Sequence, residues 1–119
     1  MLVGYVKPPA TAGGSDFMLI YHIVLLDVWA AFDTGHYEHP SLASEGFIHC
    51  SFSDQLDGVI GRYYSEAEYV VVLEIESDRL MSRMIKEPST NSEIYPHVYG
   101  PINRNAIVRT FEKKIKTTD

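Results

Sequence analysis

The histidines are the residues of this chain with the clearest capacity for chemistry, and two of the five interrupt apolar strands. His22 lies in IYHIV, and His49 lies in GFIHCS. An imidazole inside a buried strand must be hydrogen-bonded, or it costs about one to a few kcal/mol. His97 follows in the proline-rich segment YPHVYGP. We therefore expect the three rings to line one cleft, and the alternative is that each is a hydrogen-bonded core residue.

Two other kinds of site fit the residues less well. A zinc site made of His22, His49, Cys50 and His97 would lack the C-x-x-C or H-E-x-x-H spacing, so we expect no metal. Adjacent strand residues point to opposite faces, which argues against a His49–Cys50 nucleophile pair and places Cys50 in the core. Among the acidic residues, Glu93 stays a candidate ligand-binding residue because it stands just before YPHVYGP.

Composition limits the classes of partner. The chain has 119 residues, enough for one domain with its own core, and a net charge of −6. An acidic balance argues against binding to a nucleic-acid backbone. The single cysteine fits a reducing compartment, which predicts a cytoplasmic protein, and no apolar run is long enough for a membrane span. We expect a small-molecule or nucleotide ligand, while the oligomeric state stays open.

The elements that must position these residues follow from hydrophobic patterns. Apolar runs predict strands at 17–24 and 69–75, and helical spacing predicts a helix over 25–33 that ends at Thr34-Gly35. A short strand at 46–51 precedes a helix for which Ser51 and Asp54 suggest a capping box. Further extended segments are predicted at 84–87, 95–102 and 106–115.

This order of elements predicts a single α+β domain over residues 17–116, with two or three short helices. Residues 1–16 contain Pro8, Pro9, Gly13 and Gly14, so we expect a flexible N-terminal segment. Residues 117–119 are expected to form a tail.

Several segments together resemble the family filed as domain of unknown function 952, which comprises small bacterial and plant proteins. They are IYHIV, SLASEGFIHCS, VVLEI and YPHVYGPI, together with the tryptophan of the first helix. The resemblance extends over residues 19–108, and it names no activity.

A more distant resemblance is to the tRNA 2′-phosphotransferase branch of the ADP-ribosyltransferase superfamily. It is carried by His22 on the first strand, His49 before a glycine-containing helix, and VVLEI. It implies a split β fold that holds NAD between two small sheets. It also implies that His22 contacts a ribose hydroxyl and that His49 lines the nicotinamide side or meets the second substrate. The third strand position of that family falls near Val98 or Tyr99.

The chain departs from that pattern at two places. Tyr21 stands where the phosphotransferases have an arginine, and a catalytic glutamate is lacking unless Glu93 serves. Two functions therefore stay open: NAD-dependent ADP-ribosyl transfer to a small molecule or nucleic-acid end, and non-catalytic binding of a nucleotide-like ligand. The catalytic candidates are His22, His49 and Tyr99. The predicted ligand-binding residues are His97, Ser51, Phe47, Tyr64 and Glu93.

Overall fold

A computed structural model of the protein describes residues 18–33 and 35–116. The expected flexible segment 1–16, Phe17, Thr34 and the expected tail 117–119 lie outside these residues. Within them the elements follow in the order β1 (Leu19–Leu25), α1 (Leu26–Ala30), β2 (His36–Tyr37), α2 (Pro40–Glu45), β3 (Ile48–His49), α3 (Leu56–Tyr63), β4 (Tyr69–Glu76), β5 (Arg83–Pro88), β6 (Ile94–Tyr99), β7 (Ile102–Asn103) and β8 (Ile107–Lys114). The predicted α+β class is confirmed.

The first sheet is antiparallel with the strand order β1-β4-β8. Both β1 and β4 are nearly continuous apolar runs, because they are buried on both faces. One face packs against α3, where Ile60 contacts the cluster that contains Tyr21 and Ile23. The opposite face carries Ile20 and Val24 into the main core.

The second sheet has the order β3-β6-β5 and is also antiparallel. Ile48 pairs with Val98, and both side chains enter the main core. His49 pairs with His97, so these two rings lie together on the other face of the sheet. A two-stranded ladder of β2 and β7 completes the fold and brings Tyr37 into the core.

The two larger sheets meet through the segment that follows β3. Cys50 donates its backbone N–H to the carbonyl of Pro96 on β6. The next residue, Ser51, exchanges two backbone hydrogen bonds with Tyr21 of β1, at 2.7 and 2.8 Å. The chain thus passes from the edge of one sheet to the edge of the other within two residues. This bridge places His22 and His49 on either side of the same junction.

The helices differ from the predictions. The helix expected over 25–33 ends at Ala30, because Phe32 N–H donates to the carbonyl of Trp29, three residues back. Residues 40–45, for which the sequence predicted no helix, form α2, with Pro40 in its first turn, where a missing N–H costs nothing.

The predicted capping box of Ser51 and Asp54 is wrong. Ser51 is held by β1, and Gln55 instead accepts from the N–H of Phe52 at the start of the 3₁₀ turn before α3. Within the described residues, no helix has the length and apolarity to span a bilayer.

Candidate functional site

A cavity of about 420 Å³ lies at the open edge of β1, beside the junction of the sheets. Its size is in the range of small-molecule sites. The wall is formed by histidines, tyrosines, small polar residues, apolar residues and one carboxylate: His22, His39, His49, Tyr63, Tyr64, Tyr95, Ser51, Ser89, Ile23, Cys50, Val59 and Glu45. None of these described residues is a lysine or arginine.

His22 is held inside the protein through both ring nitrogens. Nδ1 lies 2.7 Å from the backbone carbonyl oxygen of His49, which can only accept, so Nδ1 carries the proton. Nε2 therefore accepts from the hydroxyl of Tyr37 at 2.9 Å. His22 is only 2% exposed, and this burial lowers the pKa of its ring to about 3. The ring is neutral, and this geometry leaves it no nitrogen for the ribose contact that the resemblance implied.

His39 has the opposite proton arrangement. Its Nδ1 accepts the backbone N–H of Ser41 at 3.1 Å and thereby caps α2. Because Nδ1 is an acceptor, the neutral ring carries its proton on Nε2. Burial is the main cause that lowers the pKa of His39, which keeps the ring neutral. The half-buried ring meets His22 edge to face, with centroids 5.0 Å apart.

The carboxylate of the cavity belongs to the last residue of α2. Glu45 Oε1 lies 3.0 Å from Nε2 of His49, four residues later, and both side chains are about half exposed. This pair sets a negatively charged group and an imidazole at the cavity wall. Such a pair can accept a hydrogen bond, attract a cation or take up a proton.

The open edge of β1 adds a backbone donor to the cavity. Tyr21 exchanges its backbone bonds with Ser51, so its pair with Glu74 on β4 is of the non-hydrogen-bonded kind. Ile23 repeats this orientation two residues later, and its N–H therefore faces the edge. Its carbonyl accepts from the hydroxyl of Tyr64 at 3.3 Å. Hydrogen-bonding groups of both kinds thus line this edge.

A second polar cluster adjoins the cavity on the outer face of β6. His97 is 3% exposed, and its Nδ1 lies 2.7 Å from Oε1 of Glu87. The hydroxyl of Tyr99 donates to the same oxygen at 2.6 Å. The ring of Phe47 stacks on the ring of His97, with the two centroids 4.1 Å apart, and covers it. Nε2 of His97 is buried without a hydrogen-bond partner among the described residues.

The structure brings the sequence-predicted residues together in two groups. His22, His49, Ser51 and Tyr64 line the cavity. Phe47, His97 and Tyr99 lie in the neighbouring aromatic cluster, which contacts the cavity through His49, 5.5 Å from His97 between centroids. Glu93 lies behind the wall, where it accepts from Tyr95 and Gln55.

Sequence reasoning missed His39, Glu45 and Tyr95. The sequence pattern included Tyr95 only as part of the YPHVYGP segment and did not predict it as a site residue. His39 and Glu45 depend on α2, whose residues PSLASE show no apolar period. The one local signal was His39-Pro40, since proline favours the first position of a helix.

The chemistry open to the cavity is limited by the side chains that line it. Among the described residues, no group of three or more His, Cys, Asp or Glu side chains could hold a metal ion. Cys50 lines the cavity, yet burial raises the pKa of its thiol, so it stays protonated and unreactive. The other polar groups at the cavity are the tyrosine hydroxyls, His39 and the Ile23 N–H, together with the hydrogen-bonded Glu45–His49 pair.

Comparisons with known proteins give a family and a fold. The sequence profile of the family described as "Protein of unknown function (DUF952)" matches residues 23–110. The crystal structure of protein CC0527 from Caulobacter crescentus is 26% identical, with a TM-score of 0.72, over 80% of this chain and 85% of that one. Its solution NMR structure is 28% identical, with a TM-score of 0.64, over 78% and 82% of the two chains. No curated protein matches the chain. These findings do not support the resemblance to the tRNA 2′-phosphotransferases.

Proposed function

The chain belongs to the DUF952 family of proteins of unknown function, and from its site we propose that the cavity binds a nucleotide-like ligand, with NAD as the first candidate. The observation that carries this proposal is the wall itself. Three tyrosine rings, the neutral rings of His22 and His39, and one carboxylate surround a space of about 420 Å³. Planar rings are held well by aromatic walls with a few polar groups.

Charge favours a nicotinamide ring over a phosphate inside the cavity. The oxidised nicotinamide ring of NAD is positively charged, and it gains from a carboxylate and from tyrosine faces. Glu45 supplies the carboxylate. The phosphates would lie at the rim, where the Arg62 guanidinium donates to the hydroxyl of Tyr95 at 2.8 Å.

Binding is tested by NMR titration of the labelled protein with NAD, ADP-ribose and nicotinamide. We expect NAD and nicotinamide to shift the resonances of His39, His49 and Tyr95, and ADP-ribose, which lacks the ring, to shift them less. Val59→Trp places a large side chain in the cavity and should weaken NAD binding at least about tenfold. Asp57→Trp, at an exposed position of the same helix, is the matched control. Equal NAD affinity in the two variants would contradict binding in this cavity.

A second candidate function is ADP-ribosyl transfer, and the Glu45–His49 pair is the observation that favours it. In this reaction the bond between ribose C1 and the nicotinamide nitrogen breaks, and its electron pair stays on the ring, which leaves neutral. A lone pair of an acceptor hydroxyl or amine forms the new bond to C1. The acceptor's proton passes to the Glu45–His49 pair, and the carboxylate stabilises the positive charge that develops on the ribose.

Transfer is tested by nicotinamide release from NAD, followed chromatographically. Wild type should release nicotinamide, and Glu45→Gln should lower the rate by about a hundredfold or more. Glu38→Gln changes an exposed carboxylate outside the cavity wall and should leave the rate unchanged. If NAD binds and no nicotinamide is released with a range of hydroxyl and amine acceptors, the protein is a binding module only.

A further inference from the structure

The two cavity residues on α2 offer complementary hydrogen-bonding groups. His39 precedes the helix and Glu45 ends it, and both side chains line the cavity. One presents a proton and the other presents lone pairs. A ligand that satisfies both must carry an acceptor for His39 and a donor for Glu45.

The proton position on His39 is set by the backbone. Its Nδ1 is used by the N–H of Ser41, and the hydroxyl of Ser41 donates elsewhere, to the carbonyl of Phe47 at 2.9 Å. The N–H of a peptide cannot reverse its role. Nε2–H is therefore a fixed donor, and within the described part of the chain it has no hydrogen-bond acceptor.

The proton position on the neighbouring His22 excludes it from this role. Its Nδ1–H is bound to the carbonyl of His49, and its Nε2 is bound to Tyr37. Its ring supplies only an apolar face against His39. Of these two neighbouring rings, His39 is thus the one with a donor free for a ligand.

Glu45 has accepting capacity left. One oxygen, Oε1, is paired with Nε2 of His49 at 3.0 Å. A carboxylate has about four lone-pair positions, so Oε2 is available to an N–H of a ligand. A hydrogen bond to an ionised carboxylate is stronger than a hydrogen bond between two neutral groups.

We propose that His39 and Glu45 together recognise an amide edge of the ligand. Nε2–H of His39 donates to the carbonyl oxygen, and the carboxylate of Glu45 accepts from the adjacent N–H. This inference rests on the proposed function, because the nicotinamide ring of NAD carries such an edge as a primary carboxamide. The lactam edges of guanine and uracil present the same two groups.

Matched ligand pairs test the acceptor role of Glu45. Nicotinamide and 3-acetylpyridine share the ring and the carbonyl, but only nicotinamide has the N–H. We expect wild type to bind nicotinamide about tenfold more tightly, measured by NMR titration. Glu45→Ala should bring this ratio close to one by weakening nicotinamide alone. Glu45→Gln, which keeps an acceptor, should retain part of it, and Glu38→Ala should leave it unchanged.

The same pair tests the donor role of His39. His39→Asn keeps a residue that caps helices well but does not reach the cavity. Both compounds use the carbonyl, so we expect both affinities to fall by about tenfold with their ratio unchanged. An unaltered thermal midpoint shows that α2 remains capped. The ¹⁵N shifts of His39 in the wild type should show Nδ1 unprotonated and Nε2 protonated.

Guanosine with 1-methylguanosine, and uridine with 3-methyluridine, separate the possible sources of the amide edge. If only the nicotinamide pair shows discrimination that Glu45→Ala removes, NAD and the amide edge are both supported. If a nucleoside pair shows it instead, the amide edge stands and NAD is the wrong ligand. The inference is overturned if NAD binds while no pair discriminates, or if none of these compounds binds.

Discussion

The hydroxyl of Tyr37 donates to Nε2 of His22 over 2.9 Å, and both residues are almost completely buried. The bond completes the hydrogen bonding of the His22 ring, whose other nitrogen is bound to the carbonyl of His49. It also joins β2 to β1. The histidine is therefore a fixed neutral part of the wall, and its partners determine its orientation.

Tyr37→Phe should lower the free energy of unfolding by about 1–3 kcal/mol. The change keeps the ring in the core but leaves Nε2 of His22 buried without a donor. Urea denaturation measures the loss. Tyr69→Phe removes the hydroxyl of an exposed tyrosine and should change stability by less than about 0.5 kcal/mol. Equal effects of the two substitutions would show that the buried bond contributes nothing.

Stability should fall as the pH is lowered from about 6.5 towards 3. The pKa of His22 is about 3 in the folded protein, against about 6.5 when unfolded, so the unfolded chain binds one more proton in this window. This group alone gives a slope of up to about 1.4 kcal/mol per pH unit. The pKa of His39 is also lowered, which acts in the same direction.

The contribution of His22 can be isolated by His22→Gln, with His36→Gln at an exposed position as the control. Denaturation between pH 7 and pH 4 should show a shallower dependence for His22→Gln than for the control. The same slope in both variants would mean that acidic side chains, and not the buried imidazole, cause the loss.

Two glycine substitutions should have opposite effects on thermal stability. Gly100 has φ of +152°, and an added Cβ would clash with the Ser82 side chain, which is fixed by a bond to the carbonyl of Pro101. Gly100→Ala should destabilise by about 1–3 kcal/mol. Gly61 lies in α3, and a Cβ added there would meet no atom within 4 Å, so Gly61→Ala should stabilise by about 0.5–1 kcal/mol. A gain from Gly100→Ala would contradict this backbone geometry.

Two tyrosine titrations test the carboxylates around the site. The hydrogen bond to Glu87 is the main cause that raises the pKa of Tyr99. Glu87→Gln should therefore lower that pKa towards 10, as followed by NMR of the labelled ring. Glu93→Gln should leave Tyr99 unchanged and lower the pKa of Tyr95 only in part, since burial is the larger cause there. A change at Tyr99 in Glu93→Gln would contradict the separate pairing.

The strands could be predicted and one helix could not, for a physical reason. β1 and β4 are buried on both faces, so their apolar runs are visible in any sequence window. α2 has a single large apolar residue, Leu42, and is stabilised by its cap and by Pro40. His39 and Glu45 lie at the two ends of α2. Because the helix was not predicted, their place in the cavity wall was not predicted either.

The grouping of the histidines was predicted more accurately than their roles. His22 and His49 line one cavity, as expected from the interrupted strands, whereas His97 pairs with His49 but lies outside the cavity wall, in the neighbouring cluster. The roles depend on single hydrogen bonds to Tyr37, Ser41 and Glu87, which no spacing in the sequence encodes. Phe47 stacks on His97 across the sheet, and such a cover is set by tertiary packing alone.

The two bonds between Tyr21 and Ser51 make the junction of the sheets a natural reporter of occupancy. Both amide protons are held at the point where the cavity begins. Any motion that separates the sheets must break them, and it exposes these protons to deuterium in the solvent. A bound molecule that contacts both sheets would hold them together. Hydrogen exchange at these two amides would then slow, whereas exchange at the amides of the outer strand β8 would not change. Deuterium uptake at the two amides of this Tyr21–Ser51 bridge thus reports how often the whole site opens.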